Sequence, residues 1–179
     1  MKYVAFLRGI NVGGHQKVKM EDLRKTFESI GFKNIKTLLN SGNIIFQTEE
    51  INSASVVEEI QKELKKIFGY EISVLLRSEE EITSLVNRDP FKDVNVTKDT
   101  RLYITFLSEK HHSNLKTPYE SPEKDLKVLS VTPTEICTVI TVSPERNTTD
   151  MMKIIETEFG KQVTTRNWNT VVKVYNALS

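Results

Sequence analysis

Residues 8–19, RGINVGGHQKVK, bring three glycines, one arginine, one histidine and two lysines into one short segment. Glycines let a backbone approach a ligand closely, and successive N–H groups can form an anion-binding nest. Arg8, His15, Lys17 and Lys19 would add positive charge, and Asn11 could orient a bound group. The spacing G-I-N-V-G-G fits neither the phosphate-binding loop G-x-x-x-x-G-K-[ST] nor the dinucleotide fingerprint G-x-G-x-x-G. A turn whose glycines serve only backbone geometry and whose lysines are solvated stands beside the anion-site reading with equal weight. A second cation of interest is Arg166, just before a helix capped by Asn167, where the helix dipole is already positive. An anion there would relieve the conflict, whether it came from a ligand or from a carboxylate of the protein. Trp168, the single tryptophan, shares a helical phase with Val171 and Tyr175, which favours a core position over a platform for stacking a base.

Other constellations are thin. The chain has no G-x-S-x-G, no H-E-x-x-H and no cysteine pair, and His111 with His112 lie in a polar stretch without further ligand types, so no metal site and no cofactor is expected. Cys137 sits in the β-branched run EICTVITV and reads as a small buried thiol. Glu21 and Asp22 are explained by helix-start electrostatics. Tyr103 and Phe106 in RLYITFL invite an RNA-binding reading, but the aromatic RNP1 pattern is missing and residues three apart on a strand point to opposite faces. Nucleic acid is therefore a weakly supported partner.

The elements that must position these groups follow from periodicity. In 179 residues, 38% are hydrophobic and 27% charged, the balance of an ordinary ordered globular protein. Net charge is only +1, yet residues 1–39 hold eight Lys and Arg against three Asp and Glu, while residues 40–99 hold seven against twelve. Such an asymmetry suits an anion site or a neutralising packed interface equally. No apolar run reaches the roughly 20 residues needed to span a bilayer, and Arg8 interrupts the opening apolar stretch too early for a signal sequence. A cytoplasmic protein without membrane association is expected, its oligomeric state open.

YVAFL reads as a buried strand, and KMEDLRKTFESIGF as a helix with Met20, Leu23, Phe27 and Ile30 on one face and Gly31 past its end. IKTLLNSGNIIFQT reads as a hairpin turning at NSGN, where Gly42 and two asparagines tolerate positive φ. A helix capped by Ser55 with Glu58 and stopped by Gly69, a strand EISVLL, and a helix capped by Ser78 with Glu81 come next. The second half repeats the order: strand RLYITFL, a mostly loop segment over 109–120, a hairpin turning at VTPT, helix DMMKIIETEFG, strand KQVTT and a last helix from Asn167. Both halves have the order of the split βαβ unit. LLRSEEEITSLVN and TTRNWNTVVKVYN align without gaps, pairing Arg77 with Arg166 and Ser78 with Asn167, which suggests internal duplication. The expected fold is α+β, two ferredoxin-like subdomains, residues 1–95 and 96–179.

Three stretches, LRGINVGGHQKVKMEDL, LNSGNIIF and TTRNWNTV, closely resemble the signature segments of the bacterial family called domain of unknown function 1697, with FGYEISVLLRSEEEI and NRDPF extending the likeness. The resemblance implies two α/β plait subdomains and no stated activity; His15 stands where the family more often has lysine. Short polar side chains and glycines in these stretches suit a lined cleft, so the expected ligand-binding set is Arg8, Asn11, Gly13, Gly14, Lys19, Ser41, Asn43, Arg166, Asn167, Trp168 and Asn169, with the three stretches meeting in space. The ligand would be small and anionic or nucleotide-like. An enzyme acting on a phosphate-bearing substrate, and an interaction module or RNA-binding plait, are the alternatives.

Overall fold

The structure is a computed structural model, and it describes residues 1–13, 16–50, 52–108, 115–145, 148–160 and 162–179, without the side chains of 149–151. It is a mixed α+β protein with two antiparallel sheets and five helices among the described residues. The chain divides into two compact units, Met1–Ser84 with Val174–Ser179, and Leu85–Lys173.

In the first unit, β1 (Lys2–Leu7), β2 (Lys33–Leu38), β3 (Asn43–Gln47) and β4 (Val74–Ser78) form one sheet in the order β2-β3-β1-β4, every neighbour antiparallel. Side chains alternate faces along a strand, so Tyr3, Ala5 and Leu7 of β1 join Ile44 and Phe46 of β3 in the core beneath the helices. Helix α1 (Met20–Ser29) adds Leu23 and Phe27 to that core, and α2 (Ser53–Phe68) adds Val56, Ile60 and Leu64. Phe27 and Phe46 meet edge to face with centroids 5.3 Å apart, and Phe32 stacks on Phe46 at 4.5 Å. The opposite face of β1, Val4 and Phe6, is also fully buried.

The helix limits mostly follow the expected signals. Glu21 and Asp22 lie in the first turn of α1, and Gly31 takes a left-handed φ of 92° just past its end. Helix α2 starts earlier than expected. Asn52, not Ser55, is its cap: the Asn52 Oδ1 accepts the N–H groups of Ala54 and Ser55 at 3.0 and 3.3 Å, which satisfies the first turn three residues upstream of the Ser55–Glu58 pair. Gly69 ends α2 with φ 81°, as expected. The capping box before α3 (Glu79–Arg88) is complete: Ser78 N–H donates to Glu81 Oε2 at 2.7 Å, and Glu81 N–H donates to Ser78 Oγ at 3.1 Å.

The second unit holds β5 (Thr100–Leu107), β6 (Tyr119–Glu120), β7 (Leu126–Val131), β8 (Glu135–Thr141) and β9 (Val163–Asn167), in the order β6-β7-β8-β5-β9. Helix α4 (Thr148–Phe159) packs Ile155 and Phe159 against Leu107, Val128, Ile136 and Val163. The stretch expected to be mostly loop, 109–120, contributes the short edge strand β6; residues 109–114, His111 and His112 among them, lie outside the described residues. Helix α5 (Trp168–Leu178) comes after β9, with Asn167 Oδ1 accepting the N–H of Asn169 at 2.9 Å.

The two sheets share register and loop joins. Tyr3 pairs with Ser78 and Val4 with Arg77, while Tyr103 pairs with Asn167 and Ile104 with Arg166. Leu7 N–H donates to Gly42 O at 2.8 Å and Leu107 N–H to Thr134 O at 2.9 Å. Arg8 N–H donates to Ser73 O at 2.9 Å and Ser108 N–H to Gln162 O at 3.2 Å.

Candidate functional site

The glycine-rich loop leaves β1 at Leu7 and is fastened at once on both sides, by the bonds from Leu7 to the hairpin and from Arg8 to Ser73. Its φ angles are positive at Gly9 (75°), Asn11 (56°), Gly13 (60°) and Gln16 (50°). Glycine adopts that region without strain and asparagine tolerates it, which is the local reason for these residue types. Asn11 N–H closes the loop on Gln16 O at 3.1 Å.

The Asn11 side chain organises its surroundings. Its Nδ2 donates to Val18 O at 2.9 Å and to Asn40 O at 2.8 Å, and its Oδ1 accepts the Val18 N–H at 2.8 Å. Expected as a ligand-orienting group, Asn11 instead ties the loop to the hairpin tip. The Leu39–Gly42 turn also packs directly on the loop: a β-carbon at Gly42, whose φ is 72°, would stand 2.7 Å from Ile10 Cδ1 and 2.9 Å from Leu7 Cβ. Two of the three signature stretches are therefore brought together within the first unit.

The turn itself differs from expectation. Its left-handed residues are Leu39 (φ 58°) and Gly42, not the two asparagines. Asn43 is the first residue of β3, paired with Phe6, and its side chain is fully buried. The Asn43 Nδ2 donates to Leu38 O at 2.9 Å and Ser41 Oγ at 3.0 Å, which seals the turn from inside; no sequence pattern separates such an asparagine from one that needs positive φ. Ser41, Gly13, Lys17 and Lys19 are exposed and Arg8 is half-buried. Lys19 flanks α1 without a side-chain cap. Gly14 and His15 lie outside the described residues.

Neither of two cavities on the first unit borders this loop. One, about 380 Å³, lies beside Lys36 and Ile45, and the other, about 500 Å³, beside Phe32 and Glu50. At the loop and the turn, Val12 is 68% exposed and Leu39 46%.

The third stretch lies in the second unit, at the join of β9 and α5. Arg166 Nη1 donates to Thr165 O at 2.9 Å, and burial lowers its pKa to about 10, so the guanidinium stays charged at neutral pH. Arg77, at the matching position of β4, donates to Leu76 O in the same way at 2.7 Å. Trp168 is half-buried and meets Phe91 edge to face with centroids 5.3 Å apart, a packing role close to the expected one. Asn169 is exposed. Cys137 is fully buried and burial pushes its thiol pKa up, which disfavours the nucleophilic thiolate.

A family model described as "Protein of unknown function (DUF1697)" matches residues 1–137. The chain belongs to that family. Within DUF1697 the matched region contains the RGINVGG and NSGN stretches and ends before TTRNWNT. A solved structure described as the conserved bacterial protein SP0830 from Streptococcus pneumoniae is similar over 99% of this chain and 98% of that one, with a TM-score of 0.74 at 24% identity, a likeness of fold. No curated protein matches the chain. Among the described residues, no helix is long and apolar enough to cross a membrane, and no group of three or more His, Cys, Asp and Glu is placed to hold a metal ion.

Proposed function

We propose that this DUF1697 protein binds a small anionic ligand, nucleotide-like ligands included, on its first unit, where the loop after β1 meets the hairpin tip. The supporting observation is the Asn11 clasp, whose two side-chain hydrogen bonds to Val18 fix its own loop and whose third, to Asn40 O, joins that loop to the hairpin, in a segment that carries Arg8, Lys17 and Lys19. A preformed loop loses little entropy on binding, and its alternating left-handed residues favour N–H groups that gather around an anion. Gly13, Lys19, Ser41 and the Arg8 guanidinium are the proposed contacts, with Asn11 and Asn43 as positioning residues. Arg166, Asn167, Trp168 and Asn169 are assigned to the frame of the second unit.

The same reading takes residues 1–95 and 96–179 as two ferredoxin-like repeats of one ancestral unit. The shared register of β1 with β4 and β5 with β9 supports it, as do the paired bonds at Leu7 and Leu107.

A thermal-shift panel of nucleotides, sugar phosphates and short RNA tests the binding reading. A nucleotide or sugar phosphate at about five times its Kd should stabilise the fold by about 1 kcal/mol. Silence from every small anion, or a response to RNA alone, would sink it, and turnover of the stabilising compound would mark an enzyme.

A further inference from the structure

The cavity of about 380 Å³ lies wholly on the first unit, bordered by β1, β2, β3 and the last turn of α5. Two lysines border it from the strands on either side of β3: Lys2, paired with Gln47, and Lys36, paired with Ile45. Both ammonium groups meet successive carbonyls at the end of α5, Lys36 Nζ donating to Ala177 O at 3.0 Å and Lys2 Nζ to Leu178 O at 2.6 Å. Their charges are balanced differently. Lys2 is also paired with Glu79 Oε1 at 2.8 Å, whereas Lys36 is exposed and has no carboxylate partner among the described residues. No described aspartate or glutamate borders the cavity.

The strand that carries Lys36 is irregular here. Between the pairs Lys33–Gln47 and Lys36–Ile45, two residues of β2, Asn34 and Ile35, stand opposite the single Phe46 of β3, and Asn34 takes a left-handed φ of 53°. A regular strand turns successive residues to opposite faces, and a bulge re-aims them. The consecutive residues Asn34, Ile35 and Lys36 all border this one cavity, and Asn34 Nδ2 donates to Gln47 Oε1 at 2.7 Å. Whichever way round the two amides are read, that bond leaves one NH2 group without an acceptor, and Lys36 uses one of its three N–H donors. Ile45 and Ala177 make the border between them apolar.

We infer that this cavity binds a small monocarboxylate, its two oxygens on the Lys36 ammonium and the free amide NH2 group and its hydrocarbon part beside Ile45 and Ala177. One uncompensated cation matches a monoanion, and donors without acceptors call for a head made of acceptors. The apolar border favours a hydrocarbon body, which inorganic anions and sugar phosphates lack. This site is separate from the loop after β1 and does not rest on the reading of that loop.

Backbone amide chemical shifts of the isotope-labelled full chain, followed near neutral pH during titration with hexanoate, acetate and hexylamine, test the site. Hexanoate should shift the amides of residues 34–36, 45–47 and 177–178 and bind about tenfold tighter than either acetate or hexylamine. Lys36→Met should abolish the preference for hexanoate over hexylamine, and Lys36→Arg should keep it. Should Lys36→Met fail to fold, the wild-type shift map and the ranking of the three compounds still decide. Hexanoate shifts confined to the glycine-rich loop, equal binding of the amine, a preference that survives Lys36→Met, or no shift at these residues would each overturn the assignment and leave the anion reading of the loop standing.

Discussion

Leu7 and Leu107 end the central strands of the two sheets with the same backbone bond to a hairpin, but the hairpins and the residues beyond the strands differ. The first hairpin turns through left-handed Leu39 and Gly42, with buried Asn43 sealing it. The second turns around the hydroxyl of Thr132, which accepts N–H bonds from Thr134 and Glu135 at 3.3 and 3.0 Å, and none of its residues has positive φ. Phe6 pairs with Asn43 while Phe106 pairs with Glu135, whose carboxylate meets Arg88 at 2.9 Å. Arg8 comes after Leu7; Ser108 comes after Leu107 and bonds through Oγ to Gln162 O at 2.8 Å. A hairpin at this point of the sheet therefore needs no left-handed residue, and the strand before it needs no cation directly after it. The strained, glycine-rich, basic version in the first unit goes beyond what the frame requires, and that excess is what supports the proposed site.

The comparison is easiest to break at the hairpins. Gly42→Ala adds a methyl group within 2.7 Å of Ile10 at a left-handed φ, and should destabilise by about 2–4 kcal/mol in urea unfolding. Thr134→Ala, at the matching place, loses its 2.6 Å bond to Glu135 Oε2 and should cost under about 1 kcal/mol. Equal losses would mean that the first turn is no more constrained than the second.

Asn11→Ala removes three hydrogen bonds and leaves the Val18 N–H and the Val18 and Asn40 carbonyls to find water. A loss of about 1–3 kcal/mol is expected, together with faster amide exchange at Val18 and around the 39–42 turn. Unchanged exchange at the turn would show that the two loops are not coupled through this side chain.

The smallest effects sharpen the shared frame. Ser78→Ala and Asn167→Ala each delete a helix cap at matched positions after β4 and β9, and each should cost about 1 kcal/mol. A cap that proves neutral in one unit would remove that point of equivalence.

Most of the frame was legible because periodicity and caps are local. The continuous apolar run YVAFL, the Ser78–Glu81 pair and the stop at Gly69 each act within a few residues. The Ser55 cap failed because Asn52, an equally good acceptor, lies three residues upstream and only the chain's entry direction chooses between them. The site was legible in residue type but not in role. Asn11 and Asn43 were expected to face a ligand; Asn11 reaches the Asn40 carbonyl of the hairpin, a long-range choice that spacing does not carry, while Asn43 turns into its own turn, to Leu38 O and Ser41 Oγ. Leu39 went unnoticed because a leucine beside a turn normally reads as the end of a strand.

The most direct measurement of the central claim is the affinity of adenosine monophosphate for an R8A/K19A double variant, taken at low and at physiological salt, with Ser108→Ala as the matched change in the second unit. Removing the two cations proposed to meet the phosphate should weaken binding at least about tenfold and flatten its salt dependence, while Ser108→Ala leaves both untouched. An R8A/K19A protein that binds with wild-type affinity and the same salt dependence would contradict the account and leave RGINVGG as a turn.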